Sequence, residues 1–183
     1  MRLAQRPQPF DHPDWIFEIK YDGFRALAYI EDGESDLISR KSHTYKSFRE
    51  LREELARCIK VENAIIDGEI VCLGEDGRPQ FYELLYRRRE PFFCAFDLLW
   101  LNGEDLRALP LYERKKRLRK LIPRSKRSRL LFSNHIERKG REVVVCAFTH
   151  KVAVSGSISG SGLSGMPGET MISSLSPRAA TEA

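Results

Sequence analysis

The segment Lys20-Tyr21-Asp22-Gly23-Phe24-Arg25 is the most informative stretch of this 183-residue chain. It follows Trp15-Ile16-Phe17-Glu18-Ile19, whose alternating apolar residues predict a short strand. A lysine amine can attack phosphorus, a glycine lets the backbone approach a ligand closely, and an arginine can bind phosphate or sugar oxygens through two hydrogen bonds. The segment therefore indicates chemistry on a phosphate. An exposed Asp-Gly hairpin turn with solvated charges is the alternative interpretation.

The composition is typical of a soluble globular protein, with 42% hydrophobic and 31% charged residues. No apolar run is long enough for a transmembrane helix, and the N-terminus lacks the apolar core of a signal peptide. The four cysteines are widely spaced and form no CxxC pair. They predict reduced thiols in a cytoplasmic protein, as opposed to a zinc site or a disulfide framework.

Basic residues are concentrated in two places, although the net charge of the whole chain is only +5. Arg87-Arg88-Arg89 is one cluster, and a denser one extends from Arg114 to Arg129 with few acids in it. A charge run is most often a solvated helix face. Beside a phosphate-type motif, however, this density favours a surface for a polyanion, and nucleic acid is the expected partner.

The apolar periodicity and the turn signals predict a mixture of strands and helices without strict alternation. Strands are expected at residues 15–20, 24–31, 36–40, 64–73, 91–101 and 130–133. Helices are expected at residues 47–59, 80–88 and 111–122. Ser47 is expected to cap the first of these helices. This order predicts an α+β domain built on an antiparallel sheet, followed from Val154 onward by a flexible tail.

Three further segments carry groups that suit the same chemistry. Asp67-Gly68-Glu69 places two carboxylates on one face of an apolar strand, where they need a cation, a metal or a polar cleft. An edge-strand bulge at Gly68 with exposed acids is the alternative. Phe96-Asp97 lies inside the most apolar run, where an isolated phenylalanine would be a core residue. Ser39-Arg40-Lys41 closes the third strand and would by itself be a surface strand end.

Taken in this order, the four segments resemble the motifs of the ATP-dependent DNA ligases, which are covalent nucleotidyltransferases like the RNA capping enzymes. The segment from Lys20 to Arg25 is similar to the nucleophile motif KxDGxR, and Ser39-Arg40 and Asp67-Gly68-Glu69 are similar to the two motifs that follow. The run from Phe96 to Glu104, with its Asn-Gly turn, favours DNA ligases over capping enzymes. The resemblance extends from about residue 13 to about residue 137 and is strongest for compact bacterial or archaeal ligases.

The resemblance implies a nucleotidyltransferase fold, an ATP-grasp-like adenylation domain, and a role for each residue around the nucleotide. Lys20 would attack the α-phosphorus of ATP and hold AMP through a phosphoramide bond. Glu18 would lie along the adenine edge, and Phe96 would stack on the purine. Arg25 and Glu69 would contact the ribose. Glu69 is also the candidate ligand for a magnesium ion, whose other ligands the sequence leaves unknown.

The resemblance also implies a nicked double-stranded DNA substrate and a place in DNA repair, recombination and replication. Arg40 would bind phosphate near the nick, and AMP would pass to the 5′-phosphate before the 3′-hydroxyl displaces it. The basic helix from Arg114 to Lys120 would face the DNA or shield it. The expected location is the cytoplasm of a bacterium or archaeon, in association with the nucleoid and not with a membrane.

Two motifs implied by the resemblance are missing after residue 137, namely a Glu-Gly pair in an apolar strand and a Lys-x-Lys strand. We therefore expect residues 1–142 to form an incomplete adenylation domain and residues 143–183 to form a non-homologous, disordered tail. The oligonucleotide-binding domain that follows in the family is expected to be absent. A truncated or frameshifted gene would explain this pattern, and nick sealing would then be weak or lost.

Two alternatives to a DNA ligase stay open from the sequence. The first is an RNA capping enzyme or RNA ligase relative, which would use the same covalent chemistry on RNA. The second is a catalytically dead nucleic-acid-binding remnant that retains the front half of the fold. Transfer of labelled AMP onto Lys20 separates the enzymes from the remnant.

Overall fold

The computed structural model describes residues 10–11, 13, 16–18, 20–125 and 127–137. The strands are β1 (Ile16–Glu18), β2 (Phe24–Glu31), β3 (Glu34–Ser39), β4 (Asn63–Val71), β5 (Phe92–Leu101), β6 (Glu104–Asp105), β7 (Leu130–Phe132) and β8 (His135–Glu137). The helices are α1 (Arg49–Cys58), α2 (Phe81–Leu85) and α3 (Leu111–Leu121), and a 3-10 turn at Lys46–Phe48 precedes α1. The predicted tail and Cys146 lie outside the described residues.

The described residues fall into two compact units. The first contains those up to Lys20, the segment Gly74–Arg78 and those from Ser133 onward. Its strands β1 and β8 pair antiparallel, with Glu18 opposite His135. All three residues of β1 are buried, which is why this short strand is apolar apart from its last position.

The second unit, Tyr21–Leu73 and Pro79–Phe132, is built on a six-stranded sheet. Its strand order is β3-β2-β4-β5-β6, and β7 pairs in parallel with β5. The other pairings are antiparallel, which confirms the predicted α+β class. Period-2 alternation along β2 buries Ala26, Ala28 and Ile30 on one face of the sheet and turns Arg25 and Leu27 to the other.

One buried cluster joins the helices to the sheet. It includes Leu51 and Leu55 of α1, Ile66 and Ile70 of β4, and Leu118 of α3. Each of these side chains is almost fully buried, and a buried leucine or isoleucine contributes about 1.5–3 kcal/mol of transfer free energy. None of the described helices is long and apolar enough to cross a membrane. The described cysteines form no disulfide with one another: Cys58, Cys72 and Cys94.

One sequence prediction about local structure is wrong, and one alternative interpretation is excluded. Ser47 does not cap α1, because α1 begins at Arg49 and its N-cap residue is Phe48, which makes no side-chain capping bond. Gly68 does not lie in an edge strand, because β4 pairs with β2 on one side and with β5 on the other. Strands β6 and β8 were not predicted.

An ion pair ties α1 to the segment that enters β7. The Glu54 carboxylate accepts hydrogen bonds from the backbone N–H of Arg129 at 2.8 Å and from its Nε at 2.7 Å. Both side chains are largely buried, with 10% and 15% of their surface exposed. Burial raises the pKa of Glu54, but the hydrogen bonds and charge of Arg129 outweigh it, so this pKa lies below its ordinary value.

We expect Glu54→Gln to lower the free energy of unfolding by about 1.5–3 kcal/mol at neutral pH, because Arg129 loses the charge that it binds. Glu53→Gln is the matched control, since Glu53 pairs with Arg49 on the exposed face of the same helix. That control should cost less than about 1 kcal/mol. Urea unfolding followed by circular dichroism measures both variants.

The difference between the wild type and Glu54→Gln should shrink in acid. Because the folded pKa of Glu54 is lowered, the stabilisation is fully present above the ordinary pKa of 4.5 and is lost as the pH falls through the folded value. A difference that stays constant from about pH 7 to about pH 3 would show that the charge of Glu54 contributes nothing.

Candidate functional site

Three of the predicted site residues meet on neighbouring strands of the second unit. Arg25 of β2 lies directly opposite Glu69 of β4 in the strand register. The guanidinium carbon of Arg25 is 5.3 Å from the ring centroid of Phe96 on β5, a distance at which a cation attracts an aromatic face. The structure therefore brings a cation, a carboxylate and a half-buried aromatic ring together on one side of the sheet.

Arg25 is fixed by the first acid of the Asp67-Gly68-Glu69 segment. Its Nε and Nη2 donate to the two carboxylate oxygens of Asp67 at 3.1 and 2.7 Å. This bidentate hydrogen bond is the largest cause of the raised pKa of Arg25, and the charges of Asp67 and Glu69 add to it while burial opposes it. Asp67 is buried, and its carboxylate fixes the orientation of the Arg25 guanidinium. The third nitrogen of the guanidinium, Nη1, takes no part in this pair.

A bulge in β5 changes the direction of the Phe96 side chain. The pairing of β4 with β5 passes from Asp67 opposite Asp97 to Gly68 opposite Ala95, so Phe96 is an extra residue on β5. A bulge of this kind bends the strand and redirects the side chain of the inserted residue. The sheet thus presents Phe96 toward Arg25 instead of burying it with the apolar residues around it.

Both glycines of the motifs are required by close packing. A Cβ on Gly68 would lie 2.4 Å from the Phe93 ring and 2.8 Å from the carbonyl oxygen of Cys94. A Cβ on Gly23 would lie 2.1 Å from the carbonyl oxygen of Ile70. Gly23 therefore lets the segment after Lys20 lie directly on β4.

Helix α3 holds the bulge through two cations of the basic helix that the sequence predicted would face DNA or shield it. Arg114 donates from Nε and Nη2 to the carboxylate of Asp97 at 2.8 and 2.9 Å. The Nζ of Lys115 donates to the carbonyl oxygen of Phe96 at 3.0 Å and lies 5.0 Å from the ring centroid of Phe132. Lys115 is fully buried. Lys115 lies four residues after Leu111, which places it on the apolar face of α3. This spacing is the sequence signal that could have revealed the burial of Lys115.

The other described cations of the basic cluster from Arg114 to Arg129 include side chains with an ion-pair partner and exposed side chains. Arg129 binds Glu54, and Arg117 binds Glu104 at 2.6 Å. The exposed members are Lys116, Lys120, Arg124 and Arg127. Among the described residues of the cluster, these four are the exposed cations that a polyanion could contact.

The other three predicted site residues occupy different positions. Glu18 is buried in β1, and Lys20 is exposed as the last residue of the first unit. Their approach to Arg25, Glu69 and Phe96 stays a prediction. Arg40 is exposed in the turn after β3, which the backbone N–H of Ser39 closes by donating to the carbonyl oxygen of His43.

Tyr45 connects that turn to the site residues of the second unit. Its hydroxyl donates to the carbonyl oxygen of Arg25 at 3.4 Å. Burial raises the pKa of Tyr45, and the nearby charge of Glu69 raises it further, so the phenol stays neutral as a donor. The turn that carries Arg40 is therefore held next to Arg25.

No cluster of three or more His, Cys, Asp or Glu side chains that could hold a metal occurs among the described residues. Asp67 and Asp97 are each bound to an arginine, so neither is available as a metal ligand. In the Asp67-Gly68-Glu69 segment, the half-exposed carboxylate is that of Glu69. One carboxylate suits Mg²⁺, which proteins commonly bind through one or two carboxylates together with substrate phosphates.

Comparison with known proteins identifies related chains. The sequence profile described as "ATP dependent DNA ligase domain" matches residues 4–154. The multifunctional non-homologous end joining protein LigD of Pseudomonas aeruginosa is 32% identical over 139 residues, which are 73% of this chain and 16% of that protein. A DNA ligase of Thermococcus fumicolans is 33% identical over 128 residues, which are 62% of this chain and 23% of that protein. The chain thus spans less than a quarter of the length of either relative.

A solved structure shows the same fold. Mycobacterial DNA ligase D complexed with ATP and MES superposes with a TM-score of 0.63 at 29% sequence identity. The match covers 75% of this chain and 46% of that one. The sheet and helices described above therefore have the arrangement found in a ligase nucleotidyltransferase domain.

We expect Arg114→Gln to lower the free energy of unfolding by about 3–5 kcal/mol, because it leaves the buried carboxylate of Asp97 without its cation. Arg117→Gln is the matched control, since Arg117 lies on the same helix in an exposed pair with Glu104. The control should cost less than about 1 kcal/mol. Equal losses in chemical unfolding would contradict the role of the buried pair.

Proposed function

The chain belongs to the ATP-dependent DNA ligase family, and we propose that it takes AMP from ATP onto Lys20 and passes it to a DNA end. The observation that carries this proposal is the meeting of Arg25, Glu69 and Phe96 on three neighbouring strands. These residues come from three separate sequence motifs, and the first motif also contains Lys20. Their convergence supports one nucleotide site.

In the first step, the neutral Nζ of Lys20 attacks the α-phosphorus of ATP. A nitrogen–phosphorus bond forms, the bond to the bridging oxygen breaks, and pyrophosphate leaves with that electron pair. The amine loses one proton, so AMP is held as a phosphoramide. Lys20 is exposed and lies outside the strands, which leaves its amine accessible to a nucleotide.

Arg25 and Phe96 are suited to hold the nucleoside. Asp67 occupies Nε and Nη2 of Arg25, which fixes the guanidinium plane and leaves Nη1 for the ribose. The ring of Phe96 is half-exposed because the bulge turns it out of the core, so it offers a surface on which the purine stacks. Glu69 would accept from a ribose hydroxyl, and Glu18 would take the adenine edge.

Glu69 would also hold Mg²⁺ together with phosphate oxygens of ATP. The ion offsets the charge that develops on the phosphate oxygens during transfer. Because Asp67 and Asp97 are bound by arginines, this site depends on a single protein carboxylate in the described part of the chain. The chain's own contribution is therefore to place Glu69 beside Arg25.

In the later steps, AMP passes to the 5′-phosphate of a DNA nick, and the 3′-hydroxyl displaces it. Arg40 would bind phosphate at the nick, which its exposure and its link through Tyr45 to Arg25 support. The expected setting is a nucleoid-associated protein of a bacterium or archaeon.

Incubation of the purified chain with α-labelled ATP and Mg²⁺ tests the first step. We expect label that survives denaturation in the wild type and is absent in Lys20→Ala. Lys60→Ala is the matched control, because Lys60 is an exposed lysine after α1, and it should label like the wild type. An unlabelled wild type, or label retained in Lys20→Ala, would overturn the proposal.

The same labelling assay distinguishes a DNA ligase from an RNA capping relative. Labelling by GTP in preference to ATP would favour an RNA capping relative. Labelling by ATP followed by loss of label on addition of nicked DNA would support a DNA ligase.

Phe96→Ala should reduce the labelling of Lys20 by ATP while changing the free energy of unfolding little, because Phe96 is half-exposed. Urea unfolding of the variant measures that free energy.

A further inference from the structure

Helix α2 exposes an unusual amount of apolar surface. Phe81 packs edge-on against Phe24, with ring centroids 5.7 Å apart, and Leu84 is buried in the core. This anchoring turns the opposite side of the helix outward. Tyr82, Leu85 and Tyr86 are 69%, 45% and 60% exposed. A contiguous exposed apolar patch of this kind commonly marks a binding surface.

The two exposed tyrosines form a ready stacking surface. Tyr86 is the C-cap residue directly after α2 and lies one helical turn after Tyr82, so the two side chains are on the same face. Their rings are nearly parallel, at 15°, with centroids 6.5 Å apart. The guanidinium of Arg88 lies 5.0 Å from the Tyr86 ring centroid. Flat aromatic and guanidinium surfaces are therefore presented together.

Three consecutive arginines border these rings, and we call Tyr82, Leu85, Tyr86 and Arg87–Arg89 the α2 patch. Arg88 and Arg89 contact Glu83 only at 3.8 and 3.9 Å, and about half or more of each arginine side chain is exposed. Arg87 is exposed, with a backbone φ of 54° that turns the chain out of the helix. The ion pairs are too long and too exposed to neutralise the patch.

The α2 patch continues toward the turn that carries Arg40. The ring of Phe24 stacks on Tyr45 at a centroid distance of 6.1 Å and also packs edge-on against Phe81. Tyr45 ends that turn, so the turn and α2 flank the same aromatic ring. Three exposed cations lie there, for which the described residues provide no ion pair: Arg40, Lys41 and Lys46.

We propose that the α2 patch binds single-stranded nucleic acid, with bases stacked on Tyr82 and Tyr86 and phosphates on Arg87–Arg89. Sequence-tolerant single-strand sites combine exposed aromatic faces with a positive groove in this way. Bases inside a duplex are paired and cannot reach a tyrosine pair, so an unpaired strand is favoured over a duplex. The continuity with Arg40 assigns this strand to an overhang beside the joined end, and that assignment rests on the proposed function.

Binding of a fluorescent thymidine oligonucleotide of about 20 nucleotides tests the proposal by anisotropy, using the full chain without ATP. We expect Tyr82→Ala/Tyr86→Ala to weaken single-strand binding about tenfold or more. Tyr82→Phe/Tyr86→Phe keeps both rings and should bind like the wild type. Tyr29→Ala is the matched control, because Tyr29 is an exposed tyrosine on β2.

A blunt duplex of the same length provides the second arm. The double alanine variant should bind this duplex as the wild type does, whereas Arg87→Gln should weaken binding of the single strand and lower its salt dependence. Unchanged single-strand binding by the double alanine variant would overturn the proposal and leave the patch as a surface for a protein partner. If the double alanine variant lost single-strand and duplex binding equally, the proposal that bases stack on the two tyrosines would be overturned.

Labelling of Lys20 by ATP distinguishes this proposal from the proposed function. The double alanine variant should label like the wild type, because Tyr82 and Tyr86 lie outside the nucleotide site. A wild type that binds the oligonucleotide but takes up no label would contradict the proposed function alone. A wild type that takes up label but does not bind the oligonucleotide would contradict the α2 patch alone.

Discussion

Two buried carboxylates that face each other across the central strands constrain the whole second unit. Asp67 of β4 and Asp97 of β5 are register partners, and both are buried. Like charges directly opposite each other in a sheet repel, and a buried charge without a partner is costly. The pairing is stable only because Arg25 reaches Asp67 from β2 and Arg114 reaches Asp97 from α3. The need to neutralise the two carboxylates thus constrains both the position of β2 and the docking of α3.

The same requirement shapes the candidate nucleotide site. The bulge that inserts Phe96 falls between the register pair of the two aspartates and the next pair along the sheet. Lys115, adjacent to Arg114 on α3, donates to the Phe96 carbonyl and so holds the bulged backbone. Arg25, fixed by Asp67, covers the Phe96 ring from the other strand. The interactions that stabilise the sheet therefore also orient the cation and the aromatic ring proposed to bind ATP.

Local sequence patterns predicted the parts of the fold that depend on neighbouring residues. The bounds of β2 agree with the alternation at residues 24–31, and α3 agrees with the apolar spacing at 111–122 within one residue. The inward direction of Arg114 and Lys115 could not be predicted from charge, because it depends on carboxyl and carbonyl oxygens of a strand that is distant in sequence. The Ser47 cap was wrong because the 3-10 turn continues directly into α1. Sequence therefore supplied the candidate site residues, which stay predictions, while long-range pairing decided which cations belong to the interior.

The acid-glycine-acid segment shows how the fold separates residues that look equivalent in sequence. Asp67 and Glu69 point to the same face, but Asp67 lies opposite Asp97, whereas Glu69 lies opposite the uncharged Cys94. Asp67 must therefore keep its arginine, while Glu69 is spared this repulsion and stays half-exposed. Gly68 between them permits the Phe93 ring to pack against the backbone on the opposite face. Asp67 thus stabilises the sheet from the interior, while Glu69 is the carboxylate that we propose for the nucleotide site.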